Sequence, residues 1–437
     1  MNKNTLCAAL LISSLTLMGC NSGSSSSTPE PTTTAPPTTP TNPPTTVSPG
    51  TSQLNALLEQ RVFNAAEVSG NGVISVELDA NAVSVLLTVK TDNEQAGMGV
   101  TQIRAPDGSI LYSAEVGEEG LTNVVSEFFD DIGGEGELAV FLPPTPMMTL
   151  EAGTYEFTVV REDDAALSDV RAFVKSNPEG SSIDDANLAY DLNVWVAHPD
   201  SAFSAEAFQN TVRNDYVDVI NSILEDHNLA INEVNFFTAT QAETSQFASL
   251  DVDNEYSAAC RAMLAVSGAG LSLNLAFVQE LTSEDTPGIA GVSSSPGLIN
   301  DTSAGESCFF VAQTAYVANP AEGLSEMQAI ASQAGNILHE GSHFMSLQHT
   351  TEENGQKFDR FDDTPQCDAL TFDGRDNPTF DVAGELDGAM SDHECSFEGG
   401  ANNVLFYAGH QDFLPYQMSA DQAWVMRRHP LALPVSE

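Results

Sequence analysis

Between residues 54 and about 183 the apolar positions recur with a period of two. Val73–Leu78 alternates apolar and polar residues, Val83–Lys90 is rich in β-branched residues and Leu, and Leu138–Leu142 and Gly153–Val160 read the same way. Successive side chains on a strand point to opposite faces, so this period predicts strands that bury one face. Pro106-Asp107-Gly108 separates Gly99–Ala105 from Ile110–Tyr112 with the residue types a turn needs. No amphipathic helix interrupts the series after its first dozen residues, so the expectation for 54–186 is an all-β sandwich. No catalytic constellation stands out within it, which suits a spacer or binding module.

At about Asn187 the period changes. Tyr190–Ala197 and Glu233–Phe237 look like strands. Between them, Phe208, Val212, Tyr216, Val219, Ile220 and Ile223 fall at helical spacing within Ala205–Leu224. A further strand-like run, Leu271–Val278, is followed by a loop rich in Gly, Ser and Pro and then by Cys308–Gln313. Leu324 to about Met345 has the spacing of a long helix: Ser325 caps its start with Gln328 three residues on. Met327, Ile330, Ala331, Ala334, Leu338 and Met345 form its buried stripe. From about residue 187 this alternation marks an α/β layer rather than a continuation of the sandwich.

The first fifty residues have a different character. Lys3 precedes an apolar run from Leu6 to Leu17 that ends in Leu17-Met18-Gly19-Cys20, the pattern of an export signal. That ending resembles a bacterial lipobox. The resemblance implies removal of residues 1–19, lipid on Cys20, and a place in the bacterial cell envelope, with Asn21 favouring the outer membrane or cell surface. Residues 20–53 are mostly Ser, Thr and Pro; they cannot bury a core and read as a tether, which in extended form would reach roughly 90 Å at about 3 Å per residue. No later segment approaches eighteen consecutive apolar residues, so the lipid would be the link to a membrane.

Of six cysteines, Cys7 leaves with the signal and Cys20 is the lipid site, which leaves Cys260, Cys308, Cys367 and Cys395. Four cysteines in an exported chain suggest two disulfides with three possible connectivities, and sequence proximity favours Cys260–Cys308 and Cys367–Cys395. The 62 acidic residues against 14 basic, a formal net charge of -48, would repel nucleic acid and anionic membranes and keep the chain soluble in salt. Asp251–Glu255 and Asp359–Asp363 offer oxygen ligands that could hold calcium, although neither fits the twelve-residue EF-hand pattern. His198, His227, His393, His410 and His429 have no partner at metal spacing.

The remaining three of the 8 histidines fall within eleven residues, His339-Glu340-Gly341-Ser342-His343-Phe344-Met345-Ser346-Leu347-Gln348-His349. In a helix, residues i and i+4 share a face, so His339 and His343 can direct two imidazoles at one ion. A catalytic zinc takes three protein ligands and leaves a position for water. His349 is too far along for the same face of a straight helix, and far enough for the chain to turn back beneath the metal. Glu340 would stand beside the water as general base.

This stretch resembles the metzincin zinc peptidases, whose pattern is HExxHxxGxxH followed by a methionine-containing turn. The resemblance implies an α+β zincin-like domain over 187–437, a twisted mixed sheet with one long zinc-binding helix. It makes His339, His343 and His349 the zinc ligands and Glu340 the acid/base. Ser346 stands where the family has Gly, and a left-handed helix end costs Ser more. His349-Thr350-Thr351-Glu352 and Asp362-Asp363-Thr364-Pro365-Gln366-Cys367 look like the pappalysin-type branch. Asn403-Val404-Leu405-Phe406-Tyr407 looks like the methionine turn with Leu405 in its place, Met390 being the alternative. Tyr407 matches a tyrosine that can approach the zinc or stabilise the oxyanion. Leu271–Val278 and Gly288–Val292 would be the edge strand and adjoining loop to which a peptide substrate adds. The expected function is a surface-tethered zinc endopeptidase acting on proteins or peptides. Its oligomeric state is left open. The rivals are a non-catalytic zinc-containing binding module, and another zincin with Glu352 or Glu353 as third ligand.

Overall fold

The computed structural model describes residues 50–435 apart from 67, 69–71, 118–119, 130–131, 163–164, 269, 284–288, 314–324, 353–354, 370–394 and 408–414. The signal, Cys20 and the tether up to residue 49 lie outside the described residues, as do Met390, His393 and His410; residues 50–53, expected to end the tether, instead belong to the strand Gly50–Asn55, because they pair with Leu58–Val62.

The period-two segments form two antiparallel sheets. One runs Gly50–Asn55, Leu58–Val62, Leu167–Ser176, Ala82–Thr91, Glu137–Leu142 in spatial order. The other runs Val73–Leu78, Gly153–Arg161, Gly97–Arg104, Ile110–Gly117, Gly120–Val125, with Gly133–Glu135 pairing beside Gly97–Arg104. Val85, Leu87, Val89 and Val140 of the first sheet share a core with Val76, Val100, Tyr155 and Phe157 of the second. The neighbouring residues Leu86, Phe141 and Phe173 point the opposite way and pack with Leu188, Tyr190 and Met426 of the C-terminal half. The first sheet is thus covered on both faces, which is why Ala82–Thr91 is buried nearly along its whole length.

The C-terminal half is built on a mixed sheet in the order Leu229–Thr238, Leu188–Ala197, Ser272–Val278, Phe309–Ala312, Gly291–Ser293, with Leu433–Pro434 pairing beside the start of Leu188–Ala197. The first four strands are parallel and the last is antiparallel to Phe309–Ala312. Alternate residues again serve two layers. Leu192, Leu275 and Phe309 face the layer that contains the long helix, whereas Trp195, Ala276 and Phe310 face Val252–Ser267 and its neighbours. Burial on both faces produces the near-continuous apolar runs of these strands. The order corrects one expectation: Leu271–Val278 corresponds to an interior strand, and the terminal strand beside the long helix is Gly291–Ser293.

The long helix spans Glu326–Phe344, and Ser325 and Gln328 form a reciprocal capping box at its start. Met327 does not join the expected buried stripe and is 77% exposed, whereas Ala329 in the same turn is buried; from Ser332 to Phe344 every residue is buried. Cys260–Cys308 ties the helix Val252–Ser267 to the sheet, and Cys367–Cys395 ties the segment after His349 to that before the 403–407 turn. The two halves are also joined by polar ties. Fully buried Lys175 donates to the carbonyls of Arg427 (2.7 Å) and His429 (2.9 Å) and to that of Ala432. Lys90 pairs with Asp301 at 3.1 Å, and Glu137 accepts from the Gly305 amide at 2.9 Å.

Candidate metal centre

His339 and His343 occupy the last two turns of the long helix, one above the other. The helix ends at Met345 in a double closure: the Leu347 amide donates to the Ser342 carbonyl at 3.1 Å and the Ser346 amide to that of His343 at 2.8 Å. This Schellman pattern needs a left-handed residue just past the cap at Met345, and Ser346 adopts it at φ 78°. The reversal brings His349 back against the helix.

The three imidazoles meet edge on. Nε2 of His343 lies 3.0 Å from Nε2 of both His339 and His349, and the latter two are 3.2 Å apart. On the far side of each ring Nδ1 faces an acceptor: the Val404 carbonyl at 2.7 Å for His339, the Leu347 carbonyl at 2.8 Å for His343, and Oε2 of Glu352 at 3.0 Å for His349. A carbonyl or carboxylate can only accept, so each Nδ1 carries the proton and each Nε2 presents a lone pair. Three lone pairs converging at this distance repel one another and call for a cation between them. The triangle has the size whose corners can all lie about 2.0–2.1 Å from one zinc ion. Burial, and then the mutual repulsion of the rings, holds His339 well below its ordinary pKa and lowers His343 to about 3, so both are neutral ligands. All three residues are buried, and among the described residues this is the one group of three or more such side chains whose ligand atoms converge.

Glu340 is 1% exposed and follows the first ligand. Its carboxylate rests against the terminal strand: a Cβ placed on Gly291 would lie 2.4 Å from Oε1 and 2.5 Å from Cγ. One turn earlier, Asn336 donates to the Ala290 carbonyl at 2.9 Å and holds that strand beside the helix. From the other side comes the turn at Asn403–Tyr407. Its Val404 carbonyl orients His339, its Leu405 side chain is fully buried in the main core, and the Leu405 carbonyl accepts from the Thr350 amide at 2.9 Å. Tyr407 packs in a small cluster with Phe406, Cys367 and Cys395.

Glu352 lies behind the His349 ring rather than among the Nε2 atoms, so it supports a ligand instead of being one; Glu353 lies outside the described residues. The two acidic runs do other work. Asp251 caps the helix Val252–Ser267 through the Asp253 amide at 3.1 Å. Asp359 accepts from Thr364 at 2.6 Å and is raised to about 7, first by burial and then by the charges of Asp363 and Asp421. Neither run belongs to a converging group of three ligand atoms, so the calcium expectation finds no support. His227 bonds the Met418 carbonyl and His429 packs on Phe141 and Phe344, both away from the triad.

Val404, Leu347 and Gly291 are site residues that sequence reasoning did not single out for these roles. The first two act through main-chain carbonyls, which leave no mark on residue identity. A glycine in a Gly/Ser-rich loop is equally silent until the strand order is known.

No protein-family description matches this chain, and no curated protein does. Among solved structures, an archaemetzincin from Methanopyrus kandleri is similar at 13% identity and a TM-score of 0.26, over 38% of this chain and 78% of that one. Metalloproteinase-II from Bacteroides fragilis is similar at 10% identity and a TM-score of 0.30, over 62% of this chain and 63% of that one, just under two thirds of its length.

Proposed function

We propose that the chain is a zinc-dependent endopeptidase of metzincin type, pappalysin-like, with a zincin-like domain at 187–437 behind a β-sandwich at 54–186. The observation that carries this reading is the convergence of three Nε2 atoms at 3.0–3.2 Å with every Nδ1 bound to an acceptor. His339, His343 and His349 would hold the ion, which when bound supplies Lewis acidity to a peptide carbonyl and lowers the pKa of water. Glu340, buried beside Gly291, takes a proton from the attacking water and returns it to the leaving amine. An extended substrate lies along Gly291–Ser293, which sets the scissile bond against the Glu340 carboxylate. Tyr407 assists the developing oxyanion. A lipid on Cys20 and a tether over 20–49 hold this body at the bacterial cell surface.

The test is zinc content and cleavage of casein or a peptide library by residues 50–437, beside Glu340→Gln. One zinc per chain in both forms is expected, with cleavage reduced about 10²–10⁴-fold in the variant. Undiminished cleavage by the variant refutes the role of Glu340. Zinc without cleavage in either form would instead favour a binding module.

A further inference from the structure

The three ligands are not held alike. His339 and His343 are part of one helix, and their Nδ1 atoms donate to main-chain carbonyls of Val404 and Leu347. His349 lies beyond the helix, reached through the reversal at Ser346, and its Nδ1 is 3.0 Å from the carboxylate of Glu352. The ring outside the helix therefore has the charged partner.

Glu352 is itself fixed. Its amide donates to the Lys357 carbonyl at 2.9 Å, its carbonyl accepts from the Gly355 amide at 2.8 Å, and Thr351 and Phe358 bridge as antiparallel neighbours. Two residues beyond that bridge, Arg360 donates to the Ser126 carbonyl at 3.2 Å and the Phe129 carbonyl at 2.8 Å, while its own carbonyl accepts from Thr145 at 3.2 Å. The short hairpin that presents Glu352 is thus braced by the N-terminal sheets.

We infer that Glu352 is a positioning residue for the metal, fixing the orientation and the proton-bearing nitrogen of His349 and enriching its Nε2 as a donor. The inference rests on the zinc reading above. A carboxylate on the far nitrogen of a ligating imidazole raises its basicity, and loss of such a partner costs about 10–100-fold in metal affinity. A carbonyl behind His339 or His343 fixes the proton equally well but carries no full charge.

Zinc affinity, measured by competition with a chromophoric chelator, and the visible spectrum of the cobalt(II) form would be compared in wild type, Glu352→Gln and Glu352→Ala, all as residues 50–437. Glu352→Ala is expected to bind zinc about 10–100-fold more weakly, with an altered cobalt spectrum. Glu352→Gln, whose amide oxygen still accepts from Nδ1, is expected to fall between the two. Thermal unfolding of the metal-free proteins should coincide, which a merely structural role of Glu352 would not allow. Should Glu352→Ala fail to fold, Glu352→Gln decides alone through a several-fold loss. Affinities within about twofold of wild type and unchanged cobalt spectra overturn the inference. A wild type that binds neither metal would overturn the zinc reading itself.

Discussion

Ser346 adopts φ 78° to close the helix that carries two of the three ligands. An L-residue in the left-handed region is disfavoured by about 1–2 kcal/mol where glycine is not. Ser346→Gly should therefore stabilise the protein by about 1 kcal/mol, seen as a higher urea midpoint at unchanged slope. A lower midpoint would mean that the serine hydroxyl contributes something the turn needs. Asp359 carries a cost of another kind, the burial of an ionisable group. It is 5% exposed, one of its oxygens makes no hydrogen bond, and burial lifts it to about 7. Because its folded pKa lies above the unfolded value, its contribution is most favourable at low pH. That contribution declines as pH rises from the unfolded pKa through about 7. Asp359→Asn has no such titration, so its stability relative to wild type should rise by on the order of 2 kcal/mol between pH 5 and 8. Urea melts at the two pH values measure this, and a pH-independent difference would show that Asp359 stays in one protonation state.

The helix Glu326–Phe344 and the strand Gly291–Ser293 pack side by side, so closely at Gly291 that no side chain fits between it and the Glu340 carboxylate. Gly291→Ala should turn that flexible carboxylate aside, lowering kcat at least tenfold while leaving zinc content and thermal stability close to wild type. Full activity in the alanine variant would place the working conformation of Glu340 elsewhere. The same pair shows what could be read in advance. The helix, its Ser325–Gln328 cap and the His339–His343 spacing are local, set by periodicity and by residues three or four apart. The disulfide pairs were legible from proximity for the same reason. The placement of Leu271–Val278 inside the sheet depends on pairing between distant segments, which an apolar run does not specify. The exposure of Met327 escapes periodicity, which shows which face of a helix is apolar but not which of its positions a neighbour covers.

At the scale of the whole molecule, the two sheets at 50–176 are not a loosely tethered attachment. Leu58, Leu86, Phe141 and Phe173 belong to the same core as Tyr190, Leu338, Phe344 and Met426, so the packing beneath the histidine helix is continuous with the first sheet. Lys175 fills the seam. It is fully buried, and both burial and the nearby Arg427 and Arg428 lower its pKa. Its amine satisfies three carbonyls of buried residues around the end of Ala420–Arg428. Sequence patterning could not announce this, since a lysine in a strand ordinarily reads as a solvent-facing position. A shared core and a buried polar seam make partial unfolding costly, because opening either half exposes apolar surface on both. The two halves should therefore melt in one calorimetric transition. Lys175→Met should lower the stability of that single transition by about 2–4 kcal/mol, through the Arg427 and Ala432 carbonyls that lose a donor rather than through lost volume. Two separated transitions in the wild type would refute this coupling, and a variant as stable as wild type would show that the carbonyls find other donors.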